Sequence, residues 1–159
     1  MISKPYEEIH VGDIETTGCR VITEEYVLAF GELTGDNHPL HTDPRYAQQT
    51  RFGKQIAHGA LMVSTLLGLV QLHPSYLQCF YSLDKLRFKA PTYFGDEVHA
   101  VSEISAVSPR KDGGSAVVTS TARLINQHGE EVLAGDFSLL VAGRAQALND
   151  PRLEEQAAR

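Results

Sequence analysis

The sequence predicts an α+β domain in which one antiparallel sheet curls around a single central helix. Three observations carry that expectation. The segment 56–72, IAHGALMVSTLLGLVQL, is apolar in nearly every direction around a helix rather than along one stripe, so it must be enclosed. After it the pattern changes to period two, with β-branched residues in four successive runs. Short turn signals separate those runs, which predicts an antiparallel meander. An all-apolar helix and such a sheet are best satisfied when the sheet wraps the helix.

In chain order, Gly12-Asp13 reads as a turn leading into a first strand within 11–22. Thr23 stands at a helix N-cap, and Glu24 and Glu25 occupy the first turn, where the helix dipole favours acids. Tyr26, Val27, Phe30 and Leu33 follow at helical spacing and Gly35 supplies the stop, which predicts a helix over 24–34. Residues 35–52 read as loop. Pro39 biases His38 toward extended backbone and forbids a long helix, and Asp43-Pro44 starts a short helical turn. The central helix comes next, too short and too polar, with Ser64, Thr65 and Gln71, to cross a bilayer. Strands are expected at 79–89, 97–107, 115–126 and 131–142, separated by Pro91/Gly95-Asp96, Asp112-Gly113-Gly114 and His128-Gly129.

Composition bounds the function. At 159 residues the chain is one domain's worth, read as 1–147 with a polar tail, 148–159, in which Asp150-Pro151 can start a short helix. Fourteen Lys and Arg face twenty Asp and Glu, a net charge of −6, the opposite of what a nucleic-acid binder needs. Cys19 and Cys79 lack metal-ligand spacing and read as reduced thiols. The opening MISKPYEEIH has no apolar core of a secretory signal, and no run is long enough to span a membrane. A cytoplasmic protein is expected.

Asp36 and His41 form the first chemical constellation. Pro39 lies between them, so they cannot share one helix face, but a folded loop can aim a carboxylate and an imidazole at one small molecule. Such a pair suits general acid–base work on water. The same spacing also describes a capped turn with a polar loop histidine. The second piece is Ala57-His58-Gly59-Ala60 at the start of the central helix, where free N–H groups and the dipole favour an oxyanion. Gly59 would let a ligand approach the backbone closely. Ser64 is either a ligand contact or a serine bonded back to the preceding turn.

Together, Thr34-Gly35-Asp36-Asn37-His38-Pro39-Leu40-His41-Thr42-Asp43-Pro44, Phe52-Gly53, Ile56-Ala57-His58-Gly59-Ala60-Leu61 and Leu86-Arg87-Phe88-Lys89-Ala90-Pro91 with Gly95-Asp96 resemble the MaoC-like, R-specific enoyl-CoA hydratase family over residues 10–143. The resemblance implies a hot-dog fold and a homodimer joined sheet edge to sheet edge, with active sites at the interface. It implies reversible syn addition of water to a trans-2-enoyl thioester, giving an (R)-3-hydroxyacyl-CoA. By this resemblance Asp36 and His41 hold and activate the water, the Gly59 N–H binds the thioester oxygen, and Ser64 lies near the pair. One position departs: where the family pattern has Asn, this chain has His38. That imidazole suits a polar or carboxylate-bearing acyl group; a short or branched one is the other expectation.

No cofactor is expected, because hydration beside a thioester needs neither redox nor Lewis-acid help. A metal on Asp36, His38, His41 and Asp43 is not expected either, since their spacing is not helical and no cysteine is near. Two other readings use the same scaffold. A hot-dog thioesterase would want a carboxylate on the central helix, and 56–72 contains none. A non-catalytic acyl-thioester-binding module gains nothing from a charged pair in an apolar slot.

Overall fold

The computed structural model describes residues 2–111 and 113–148. The tail expected from Leu148, with its helix start at Asp150-Pro151, falls on 149–159, outside the described residues. The elements are β1 (Ile14–Val21), α1 (Glu24–Thr34), α2 (Pro39–Thr42), α3 (Pro44–Gln48), α4 (Gly59–Leu69), β2 (Leu77–Phe88), β3 (Glu97–Pro109), β4 (Ser115–Asn126) and β5 (Glu131–Ala142). A single 3-10 turn, Tyr6–Glu8, precedes them.

The local signals act as their chemistry requires. Thr23 Oγ1 accepts the Tyr26 N–H at 3.1 Å, and Gly35 closes α1 in the left-handed conformation, φ 79°. Asp43 Oδ1 accepts from the Arg45 N–H at 2.8 Å and starts α3. Pro39, expected only to break helices, opens α2 at its first position, where a missing N–H costs nothing.

The five strands form one antiparallel sheet in the order β1-β3-β4-β5-β2. The expected four-strand meander therefore holds only for β3, β4 and β5. β2 pairs with β5 at the far edge, because the stretch after it is used elsewhere. Thr92 O accepts the Ala57 N–H at 2.8 Å, Tyr93 bridges Ile56, and Gly95 and Asp96 bond Ile22. These contacts carry the chain across the start of α4 and deliver β3 beside β1.

α4 lies against the curved sheet, the hot-dog arrangement. Leu61, Met62 and Leu66 meet Val98, Ala100, Ala122, Leu124, Leu133 and Phe137 in one core cluster. Burying a side chain such as Leu66 contributes about 1.5–3 kcal/mol. Intrinsic helix preferences are several-fold smaller per residue, and α4 carries Gly59, Val63, Thr65 and Gly68, all weak formers. Packing holds this helix.

α4 is shorter than 56–72 at both ends. Residues 56–57 are extended by their bonds to Thr92 and Tyr93. At the other end Ile2 pairs with 71–73: its N–H donates to Gln71 O at 2.8 Å and its carbonyl accepts the His73 N–H at 2.7 Å. Nor is α4 enclosed all round, for Ala60, Ser64 and Gly68 form an exposed stripe of small residues.

Candidate active site

The loop after α1 brings Asp36 and His41 together through two short devices. The left-handed Gly35 reverses the chain, and His38 then caps α2, its Nδ1 accepting the Leu40 N–H at 3.1 Å. His41 sits on that single helical turn. Its Nδ1–H donates to Ile56 O at 2.7 Å, and Gln55 Nε2 donates to His41 O at 3.0 Å. Both bonds tie α2 to the strand-like stretch before α4. A carbonyl only accepts, so the His41 ring must carry its hydrogen on Nδ1 and present Nε2 as a lone pair.

The half-buried His41 ring is held below its ordinary pKa of 6.5, first by loss of solvent and also by His58 and His38 nearby. The Ile56 carbonyl and Asp36 oppose this shift without cancelling it. A neutral imidazole at physiological pH can accept a proton.

His58 completes the cluster. One ligating atom from each of Asp36, His41 and His58 lies within 4.8 Å of the others. The His58 ring is 1% exposed, its centroid 3.9 Å from that of His41, and Phe30 flanks it at 5.2 Å. Its Nε2–H donates to the Asp36 carbonyl at 2.8 Å. The two imidazole planes are only 32° apart. Each ring already spends one nitrogen on a main-chain carbonyl.

His58 is also the N-cap residue of α4, yet its side chain does not cap the helix. The first-turn N–H groups, Gly59 among them, are left without a side-chain acceptor. Gly59 lines a cavity of about 370 Å³, shared with His41, Phe52, Ile56, Met62 and Phe88. Glycine is required there for a reason the sequence did not show: a Cβ at 59 would stand 2.8 Å from the Phe88 ring.

Of the expected site residues, Asp36, His41 and Gly59 converge on this corner. His38 stands beside it, its ring centroid 6.2 Å from that of His41. Ser64 points its hydroxyl back to Ala60 O at 3.1 Å, the back-bonded arrangement, on the exposed stripe of α4.

His58 and Gly31 escaped sequence reading. His58 was visible only as part of a motif; its signal was a histidine at an N-cap, where Ser, Thr, Asp or Asn is usual. Gly31, buried inside α1, costs about 1 kcal/mol relative to alanine on helix preference. The reason for it is close approach: a Cβ would lie 3.2 Å from both Asp36 O and Asn37 Oδ1. Gly31→Ala should leave the melting temperature near the parent's while lowering kcat roughly three- to tenfold, since it pushes Asp36 by tenths of an ångström. An unchanged kcat would show that the position of Asp36 tolerates such a shift.

The model of the MaoC like domain matches residues 8–126. An (R)-specific enoyl-CoA hydratase of Aeromonas caviae is 36% identical over 110 residues, 69% of this chain and 79% of that protein. An (R)-specific enoyl-CoA hydratase of Rhodospirillum rubrum is 30% identical over 142 residues, 87% of this chain and 92% of the relative. Among solved structures, a protein of Archaeoglobus fulgius described as a monoamine oxidase regulatory protein superposes with a TM-score of 0.82 at 34% identity. It covers 87% of this chain and 94% of its own.

Proposed function

Because this chain belongs to the MaoC-like domain family, we propose that it is an (R)-specific enoyl-CoA hydratase/3-hydroxyacyl-CoA dehydratase, a hydro-lyase acting on trans-2-enoyl thioesters. The observation that carries this reading is that a proton-accepting His41 and an uncapped helix start line one apolar cavity, with the Asp36 carboxylate within 4.8 Å of His41.

In the hydration direction His41 Nε2 takes a proton from a water that Asp36 helps to hold. The water oxygen bonds to C3 of the enoyl group, and the C2–C3 π pair moves toward the thioester carbonyl. The charge that gathers on the thioester oxygen is met by the Gly59 N–H. A proton returned by the acid–base pair to C2, on the face of attack, completes syn addition. Ser64 is assigned a supporting contact to the substrate, which would require its hydroxyl to leave Ala60 O.

The cavity supports a short or branched acyl group, for 370 Å³ is near the lower end of ligand pockets, roughly 300–1,000 Å³. Arg51 and Lys89 also line it. Arg51, missed in the sequence, lies over the Phe52 ring, and Lys89 pairs with Glu131. They offer cations to the phosphates of CoA. His38 spends Nδ1 on its cap, and its other nitrogen is assigned to a polar or carboxylate-bearing acyl group.

A homodimer joined through the β2 edge is part of the same proposal. β2 is largely exposed, Phe80, Tyr81 and Phe88 at 45–55%, and Phe88 reaches the cavity from that strand. An unpaired apolar edge of this kind favours pairing with a second copy. No helix of the described residues is long and apolar enough to cross a membrane. A cytoplasmic setting is proposed with it, in keeping with the exposed, unpaired Cys19 and Cys79.

The test is crotonyl-CoA absorbance with thiol release followed in parallel, run beside His38→Asn on a dicarboxylic enoyl-CoA. Loss of the enoyl band without free thiol supports the hydratase; free thiol would instead make the chain a thioesterase, and binding without turnover a binding module. His38→Asn keeps a capping side chain and should reduce the relative rate on the dicarboxylic substrate roughly tenfold, the worth of one hydrogen bond to a charge. Equal preference in both proteins would remove the assigned role of His38.

A further inference from the structure

His58 has no place in the reaction as written, yet it is the most constrained side chain in this corner. It is buried, held between Phe30 and the His41 ring, and its Nε2–H is spent on the Asp36 carbonyl, 22 residues away in sequence. Its Nδ1 is a buried polar atom without a hydrogen-bond partner among the described residues. Leaving such an atom unpaired costs free energy, so a purely space-filling role would be better served by an apolar ring.

The geometry points to His58 as the positioning residue of the catalytic pair, an inference that rests on the hydratase reading. One ring performs two tasks. The Nε2–H fixes the main chain from which the Asp36 side chain springs. The ring face sets the plane of His41, whose own Nδ1–H is already anchored on Ile56. His58 is joined directly to Gly59, so the same residue also links the acid–base pair to the start of α4. Its failure to cap that helix follows, because with the ring turned to the Asp36 loop its acceptor, Nδ1, makes no bond to the first-turn N–H groups. Asp36 is exposed and on a loop, and among the described residues no other side chain donates to its carbonyl.

The reach of an amide tests this. The Gln amide nitrogen falls near the position of His Nε2, whereas the Asn amide stops at that of Nδ1 and cannot reach the Asp36 carbonyl. His58→Asn should lower kcat for crotonyl-CoA hydration roughly 10²-fold with KM within about twofold, while His58→Gln stays within about tenfold of the parent. Should Asn leave the chain unfolded by circular dichroism, His58→Phe fills the volume, lacks the donor and takes its place in the comparison. Rescue by Gln with an unchanged KM is what a merely space-filling role would not give. Asn or Phe within twofold of the parent, or Gln as impaired as Asn, would overturn the inference while leaving an active parent as a hydratase. A parent that hydrates no enoyl thioester would overturn the hydratase reading and this inference with it.

Discussion

His41→Ala should lower kcat for hydration of an enoyl thioester by roughly 10²–10⁴-fold, the usual contribution of a positioned acid–base group. KM should change little, because Phe52, Ile56, Met62 and Phe88 supply the apolar lining. The expectation follows from three features of the ring. Its Nδ1–H is anchored on the Ile56 carbonyl, so Nε2 is the acceptor. Burial and the neighbouring His58 and His38 hold it neutral at physiological pH. The Asp36 carboxylate lies within 4.8 Å of it. Steady-state kinetics with a folding check by circular dichroism decide it; a variant that keeps a tenth or more of the parent rate would assign the base elsewhere.

Asp36→Asn should have an effect of the same order, about 10²–10⁴-fold on kcat, for a different reason. The amide preserves shape and can still hold a water, but it carries no charge and accepts no proton. The main chain at 36 is held by His58 rather than by its own side chain, so the loop should keep its place and the loss should be chemical. Because the two side chains serve one proton transfer, the double variant should be little worse than the poorer single one. Losses that multiply would mean that Asp36 and His41 act in separate steps.

Much of this scaffold was legible in the sequence because its signals are local. Thr23 and Gly35 bound α1 as their chemistry dictates, and β4 and β5 begin and end where period two meets Gly113-Gly114 and His128-Gly129. What failed was nonlocal. The placing of β2 beside β5 depends on where residues 92–96 spend their hydrogen bonds, which alternation along a strand does not encode. The ends of α4 are set by Ile2 and Thr92, distant in sequence from the helix they trim.

The candidate site divides the same way. Asp36, His41 and Gly59 stand out by type and motif. His58 acts through a bond to a residue 22 positions earlier, and Gly31 through the space it leaves for Asp36, neither of which has a sequence period. His38 shows the reverse case. As a cap, its departure from the family's Asn changes little, since the slot is the N-cap of α2 and the imidazole Nδ1 does there what an Asn oxygen would do.

The central claim is that a neutral His41 takes the proton from water. The most direct test is the pH dependence of kcat/KM for crotonyl-CoA hydration by the parent chain. The imidazolium cannot accept a proton, so the rate must fall as pH drops through the His41 pKa in the folded protein. That pKa is depressed, so the acidic limb should be half-maximal below 6.5, with full activity retained at neutral pH. A limb centred above 6.5, or a rate that does not fall on acidification while the protein stays folded, would contradict the assignment of His41 as the base.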